Sequence, residues 1–132
     1  MNPSDEVWNR ACAEAGGPKA LTAAGDRALA DMVLAHSVAM NGGVIHSIES
    51  LSSEQRIAAI AGYRYFGLHA AADVVDEFSR RWRSGGLHDD AAENLEVEAD
   101  ERYGAVVRND DVLVDAFEAR YEAAPNEFAP LD

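Results

Sequence analysis

Residues 28–43 read ALADMVLAHSVAMNGG, and this stretch decides the fold because the thirteen residues from Ala28 to Met40 carry one charge, Asp31. A helix that is apolar on all sides is typical of the centre of a core. Its three- and four-residue spacing predicts one deepest stripe, made of Leu29, Met32, Val33, His36 and Met40. The sequence Asn41-Gly42-Gly43 is predicted to end the helix, because Asn and Gly tolerate the left-handed conformation of a helix stop.

Helix signals continue on both sides of this central helix, which is expected to start near Asp26. Ser52 and Gln55 form a capping box, which opens a helix that Gly67 is placed to end. The other helices are expected at about 5–15 with Ser4 as cap, at 68–82, at 100–107 and from Asn109 or Asp110 to 124, with one or two turns at 44–49.

Each of the longer flanking helices shows an apolar face at the three- and four-residue spacing. In chain order these faces are Trp8, Ala11, Cys12 and Ala15; Ile57, Ile60 and Ala61; Leu68, Ala71, Val75, Phe78 and Trp82; and Leu113, Phe117 and Tyr121. No alternating strand pattern of any length appears, so the sequence predicts the all-α class. At 132 residues we expect a single compact helical domain over 1–132, with about five to seven helices around the buried central helix.

The charge is concentrated in the last third of the chain. The net charge is −13, and residues 86–132 hold fourteen acids and three bases, a net of −11. The run from Asp89 to Glu101 has seven acids and no base, and Ser84-Gly85-Gly86 with this run is predicted to be the least ordered stretch. Such a surface repels polyanions and attracts bases, so direct binding to nucleic acid or to an anionic membrane is disfavoured.

The compartment follows from cysteine use and hydropathy. One cysteine, Cys12, cannot form an internal disulfide, and the first residues lack the build of a signal peptide. No apolar run approaches the roughly 20 residues that cross a bilayer. We therefore expect a soluble cytoplasmic protein, and the sequence leaves its oligomeric state open, a homodimer included.

The most site-like cluster is His69, Asp73 and Asp76, whose spacing places an imidazole and two carboxylates on one helical face. It could hold a divalent metal, but a solvated face opposite the apolar stripe is the favoured interpretation. His36 is expected to be buried and hydrogen-bonded, and Cys12 to be a packed thiol. None of these predicts an enzyme or a cofactor.

Four features in order suggest a family. They are Asn41-Gly42-Gly43 after an apolar helix, Gly67 at a hairpin turn with Ala71-Ala72 after it, Asp100-Glu101-Arg102-Tyr103, and Pro125-Asn126-Glu127-Phe128. Over about residues 23–128 the chain resembles the bacterial DNA-mimic protein 19 family, although Val44-Ile45-His46-Ser47-Ile48 stands where that family carries an aromatic-rich segment with a glutamine. The resemblance implies a compact helical fold and imitation of the charge of duplex DNA.

Three functions are therefore considered. The first is an acidic protein that occupies the DNA-binding surface of a basic partner, such as a transcriptional regulator or nucleoid protein. Its predicted partner-binding residues are Asp89, Asp90, Glu93, Glu96, Glu98, Asp100, Glu101, Asp110, Asp111, Asp115, Glu118 and Glu122. The second is an interaction module of immunity or scaffold type without DNA mimicry. The third and weaker one is a metal-dependent enzyme that uses the cluster at His69.

Overall fold

The computed structural model describes residues 2–15, 21–85 and 88–131. Within these ranges the chain forms seven α-helices and no strand, which confirms the all-α class. The helices are α1 (Pro3–Glu14), α2 (Ala24–Gly42), α3 (Val44–Ser50), α4 (Ser53–Tyr65), α5 (His69–Arg83), α6 (Asp89–Val106) and α7 (Asp110–Ala123), followed by a 3₁₀ turn at Pro125–Glu127. Among these helices none is both long enough and apolar enough to cross a membrane.

Helix α2 is the centre of the molecule, because α1, α3, α4 and the 3₁₀ turn all pack against it. Its predicted stripe is buried at Leu29, Met32, Val33 and His36. The prediction is wrong for Met40, whose side chain is 62% exposed. The helix continues to Gly42, and its last three residues are exposed because the packing on α2 ends before this final turn.

The stop of α2 falls on the last residue of the predicted Asn41-Gly42-Gly43 turn. Asn41 and Gly42 remain helical, and Gly43 alone has a positive φ, of 98°. The Gly43 N–H closes the helix by donating to the Ala39 carbonyl at 2.7 Å. Gly42 is small for another reason, since a Cβ there would lie 2.5 Å from Cδ2 of His46. The left-handed requirement therefore falls on Gly43 only.

The start and end of α4 follow the sequence prediction. Ser52 Oγ accepts the Gln55 N–H at 3.1 Å and the Gln55 side chain accepts the Ser52 N–H at 2.9 Å, which is the predicted capping box. Gly67 has φ 76° and its N–H donates to the Arg64 carbonyl at 3.0 Å. The helix therefore ends in a Schellman-type turn, and α5 starts two residues later.

The inner face of α4 differs from the prediction. Ile57 is 69% exposed, Ala61 is exposed and Ile60 is half-buried. The buried residues are Ala59, Gly62 and Tyr63. Gly62 explains the choice of face, because a Cβ there would lie 2.6 Å from the Ala28 carbonyl oxygen. Helix α4 turns Gly62 towards α2, so that the backbones of the two helices approach closely. This orientation leaves Ile57 on the exposed side of α4.

The acidic run is an ordered helix, which corrects the prediction of a poorly ordered stretch and a short helix at 100–107. Helix α6 has eighteen residues, and its buried seam of Leu95, Ala99 and Tyr103 repeats every four residues. This seam faces α5 and α3, its packing partners. Asp89 and Asp90 lie at the positive end of the helix dipole, where carboxylates are favoured. Gly86 of the predicted loop lies outside the described residues.

The terminal helices are also close to prediction, with two corrections. Asn2, and not Ser4, caps α1 by accepting the Asp5 N–H, and Cys12 is exposed and not packed. On α7 the predicted cap Asn109 accepts the Asp111 N–H at 3.0 Å. The predicted inner residues of α7 are placed with Leu113 and Phe117 buried and Tyr121 half-buried.

Candidate partner-binding surface

Two rows of acidic side chains follow the solvent side of α6. Glu93, Glu96 and Asp100 are spaced by three and four residues, which places them along one line of the helix. Asp90 and Glu101 belong to a second line, with Val97 between them, directly opposite the buried seam. All six of these residues are exposed, and Val97 is 57% exposed. Helix α6 therefore presents two neighbouring rows of carboxylates with one apolar side chain among them.

A third row runs along α7. Asp111, Asp115, Glu118 and Glu122 repeat at four, three and four residues, on the side of the helix away from Leu113 and Phe117. Three of the four are exposed and Glu118 is half-buried. The row is about 16 Å long, from eleven residue steps of about 1.5 Å. These four carboxylates and the rows of α6 are called the acidic ridges below.

Glu98, one of the predicted partner-binding residues, forms an ion pair within the protein. It accepts two hydrogen bonds from Arg81, at 2.9 and 3.0 Å. Its neighbour Glu77 accepts from Arg102 at 2.9 and 3.2 Å and also from Arg81. The Arg81 guanidinium lowers the pKa of Glu98, and the Arg102 guanidinium lowers the pKa of Glu77. This network joins α5 to α6 and takes two arginines away from the acidic ridges.

Two more of the predicted carboxylates have structural contacts. Asp100 accepts the Val44 N–H at 2.9 Å and so caps α3 from α6. Asp110 Oδ1 lies 2.7 Å from Nε2 of His36. The other nine predicted carboxylates make no hydrogen bond or ion pair with the part of the chain that is described: Asp89, Asp90, Glu93, Glu96, Glu101, Asp111, Asp115, Glu118 and Glu122. Their charges are available to a partner.

His36 is buried and hydrogen-bonded, as predicted, and its two partners, Tyr103 and Asp110, come from α6 and α7. Its Nδ1 lies 2.8 Å from the Tyr103 hydroxyl, which lies 2.6 Å from the Tyr63 hydroxyl. Burial raises the pKa of Tyr63 to about 12 and raises that of Tyr103 still further, so both hydroxyls keep their protons. All donors are satisfied when Tyr63 donates to Tyr103, Tyr103 to Nδ1 and the Nε2–H to Asp110. The sequence did not predict that Tyr63 and Tyr103 would join His36 in a hydrogen-bond network, because a Tyr in an apolar stripe does not indicate which residue its hydroxyl will contact.

The candidate metal ligands His69, Asp73 and Asp76 have other surroundings in the structure. Asp73 pairs with Arg64 at 2.8 Å and Asp76 pairs with Arg80 at 3.3 Å, while His69 is exposed at the first position of α5. No group of three potential metal ligands occurs among the residues with described positions. Each of the two aspartates of this candidate cluster is thus paired with an arginine.

One shallow cleft of about 430 Å³ lies between the end of α5 and the first half of α6. Its lining residues are Arg81, Ser84, Ala91, Asn94, Leu95 and Glu98. Both terminal nitrogens of Arg81 already donate to Glu77 and Glu98. The guanidinium in this cleft is therefore committed to the fold, and the acidic ridges are the better candidate site.

Comparison with known proteins adds no further assignment, because no family model, no curated protein and no solved structure matches the chain.

Proposed function

We propose that this protein is a DNA-mimic-like binding protein, which occupies the DNA-binding surface of a basic partner such as a transcriptional regulator or nucleoid protein. The observation that carries the proposal is the charge spacing on α6. From Asp90 to Glu101, and without the paired Glu98, the two rows of α6 place five carboxylates on about 16 Å of helix, which is one charge per roughly 3 Å. One strand of B-DNA carries one phosphate per about 3.4 Å of axis, so a surface built for phosphates meets a similar linear charge density.

Among the described residues, no Lys or Arg forms an ion pair with a carboxylate of the acidic ridges. The arginines beside them, Arg81 and Arg102, are held by Glu77 and Glu98. An acidic surface that served only solubility would need no such separation of paired from unpaired carboxylates. Here the pairs lie where α5 meets α6, and the unpaired charges lie in rows that a lysine- or arginine-rich surface can contact.

The test begins with capture of the partner from the source cell and its identification by mass spectrometry. Binding of the purified partner is then measured at low and moderate salt, with and without duplex DNA. We expect affinity to fall steeply with salt and DNA to compete, since both ligands would use the same cations. Salt-insensitive binding that DNA cannot displace would contradict the proposal.

A pair of variants assigns the effect to the ridges. The first reverses the α7 row to lysine: Asp111→Lys, Asp115→Lys, Glu118→Lys and Glu122→Lys. The matched control makes the same change in charge elsewhere: Glu6→Lys, Glu14→Lys, Glu49→Lys and Glu54→Lys. A single exposed pair contributes only about 0 to 1 kcal/mol, so groups of four are needed. The first variant should lose the partner and the control should keep it, with unchanged helical content in both.

The second candidate is a partner-specific interaction module without DNA mimicry, and one observation favours it. Val97 is 57% exposed in the middle of the outward face of α6, where a purely electrostatic surface needs no valine. A protein partner with an apolar contact at this point would bury it. If this candidate is right, Val97→Ala should weaken partner binding by the same factor at low and at high salt. If the protein is a DNA mimic, the same substitution should change the affinity for the partner very little.

A further inference from the structure

The C-terminal segment, residues 125–131, lies in a groove formed by α1, α2, α4 and α7. Its Phe128 is buried, with ring centroids 5.7 Å from Phe117, 5.3 Å from Tyr121 and 6.5 Å from Phe66. The floor under this ring is Gly25, where a Cβ would lie 2.7 Å from the ring atoms. The groove is therefore shaped for an aromatic side chain that rests directly on the backbone of α2.

The groove also binds the backbone of the segment. Asp26 is completely buried, and its Oδ2 accepts the Ala129 N–H at 2.7 Å. Its Oδ1 accepts from Arg10 Nη2 at 2.7 Å. The same Arg10 nitrogen donates to the Ala129 carbonyl at 3.0 Å, and Nη1 reaches the Pro130 carbonyl at 3.5 Å. One buried ion pair thus holds one N–H and two carbonyl groups of the segment.

A third contact fixes the residue before the aromatic ring. Glu127 accepts from Arg120 at 2.8 Å and from the Tyr65 hydroxyl. Phe128 is extended, with φ −113° and ψ 148°. An aromatic pocket, hydrogen bonds to an extended backbone and a charge contact are the means by which proteins recognise peptides. The segment 125–131 is thus held by its own chain in the way that such peptides are held.

We propose that this groove is a peptide-binding site, which the chain fills with its own segment 125–131 and which the same segment of a second copy can fill in its place. An identical segment makes identical groove contacts, so exchange between copies needs a new path only near Ala124 and Pro125, where α7 has ended. In the wild type the attached segment has a high effective concentration and keeps the groove closed. This inference is independent of the acidic ridges.

Exchange of the segment between two copies can be detected with two variants, each of which prevents segment 125–131 from binding the groove of its own chain. Gly25→Val blocks the groove and leaves the segment intact, whereas Phe128→Ala leaves the groove open and removes the ring. Each variant alone should be monomeric in light scattering, and a mixture should form a one-to-one heterodimer. A peptide with the sequence of residues 124–131 should dissociate it, and the same peptide with Ala in place of Phe should not. A monomeric mixture, or a dimer indifferent to the first peptide, overturns the proposal.

Amide hydrogen exchange of the wild-type protein tests, without any substitution, whether segment 125–131 leaves the groove. If the segment leaves the groove, the Ala129 amide exchanges through local opening, at least about tenfold faster than the Met32 amide in the centre of α2. If Ala129 exchanges only as fast as Met32, the segment leaves the groove only when the whole protein unfolds. That result would overturn the proposal even where the variants fail to fold.

Discussion

Replacement of Tyr103 by Phe is the most direct test of the buried hydrogen-bond network that links Tyr63, Tyr103 and His36. The change removes one oxygen that lies 2.8 Å from His36 Nδ1 and 2.6 Å from the Tyr63 hydroxyl. Two buried polar groups then lose their partner, and each unsatisfied group costs about 1 to 3 kcal/mol. We expect Tyr103→Phe to lower the free energy of unfolding by about 2 to 6 kcal/mol. Urea denaturation followed by circular dichroism measures this, provided that the m-value is unchanged.

The matched control is Tyr121→Phe, because Tyr121 is half-buried and its ring stacks on Phe117 at 5.8 Å while its hydroxyl has no hydrogen-bond partner in the described chain. It should change stability by less than about 0.5 kcal/mol. In a double-mutant cycle, Tyr63→Phe with Tyr103→Phe should cost less than the sum of the two, because the second change removes a donor that the first has orphaned. Equal effects of Tyr103→Phe and Tyr121→Phe would refute the reasoning.

Other predictions concern the α2 stop and the arginine network. Gly43→Val should destabilise by about 1 to 3 kcal/mol, because its φ of 98° disfavours a β-branched residue. Gly42→Val should cost less in the same denaturation assay, since its contact is with an exposed imidazole that can move. Asn41→Ala should be neutral within about 0.5 kcal/mol, because this exposed residue is helical. The pKa of Glu98 is lowered by Arg81 in the folded state, so the pair contributes stability above the unfolded value of about 4.3 and loses it as pH falls through the lower folded value. Glu98→Gln should therefore flatten the acid side of the stability curve below about pH 4.3, and an unchanged curve would contradict this assignment.

Several elements could be predicted from neighbouring residues alone. The box at Ser52 and Gln55, the turn at Gly67 and the cap at Asn109 all depend on contacts within three or four residues, and all three form as predicted. The apolar character of α2 likewise predicts its central position. Local hydrogen bonds and helical periodicity are properties of short stretches, so a sequence contains the information needed to place them.

The position of the acidic residues along the chain follows from the sequence, but their arrangement in space does not. A high density of acids predicted a poorly ordered stretch, whereas three buried residues, Leu95, Ala99 and Tyr103, hold α6 against its neighbours. The sequence also does not indicate which carboxylates form ion pairs or hydrogen bonds within the protein and which do not. Glu98 meets Arg81, seventeen residues away, and Asp110 meets His36, seventy-four residues away.

The sequence by itself determined the helical class, the buried centre and the position of the charge, because each depends on composition or on short-range spacing. Only the tertiary structure decided which face of α4 is buried, where a glycine allows two backbones to approach. It also decided the pairing of Asp26 with Ala129, which are 103 residues apart. Long-range contacts follow from how the helices pack, and the spacing of residues along one helix carries no information about the residue that another helix will bring to it.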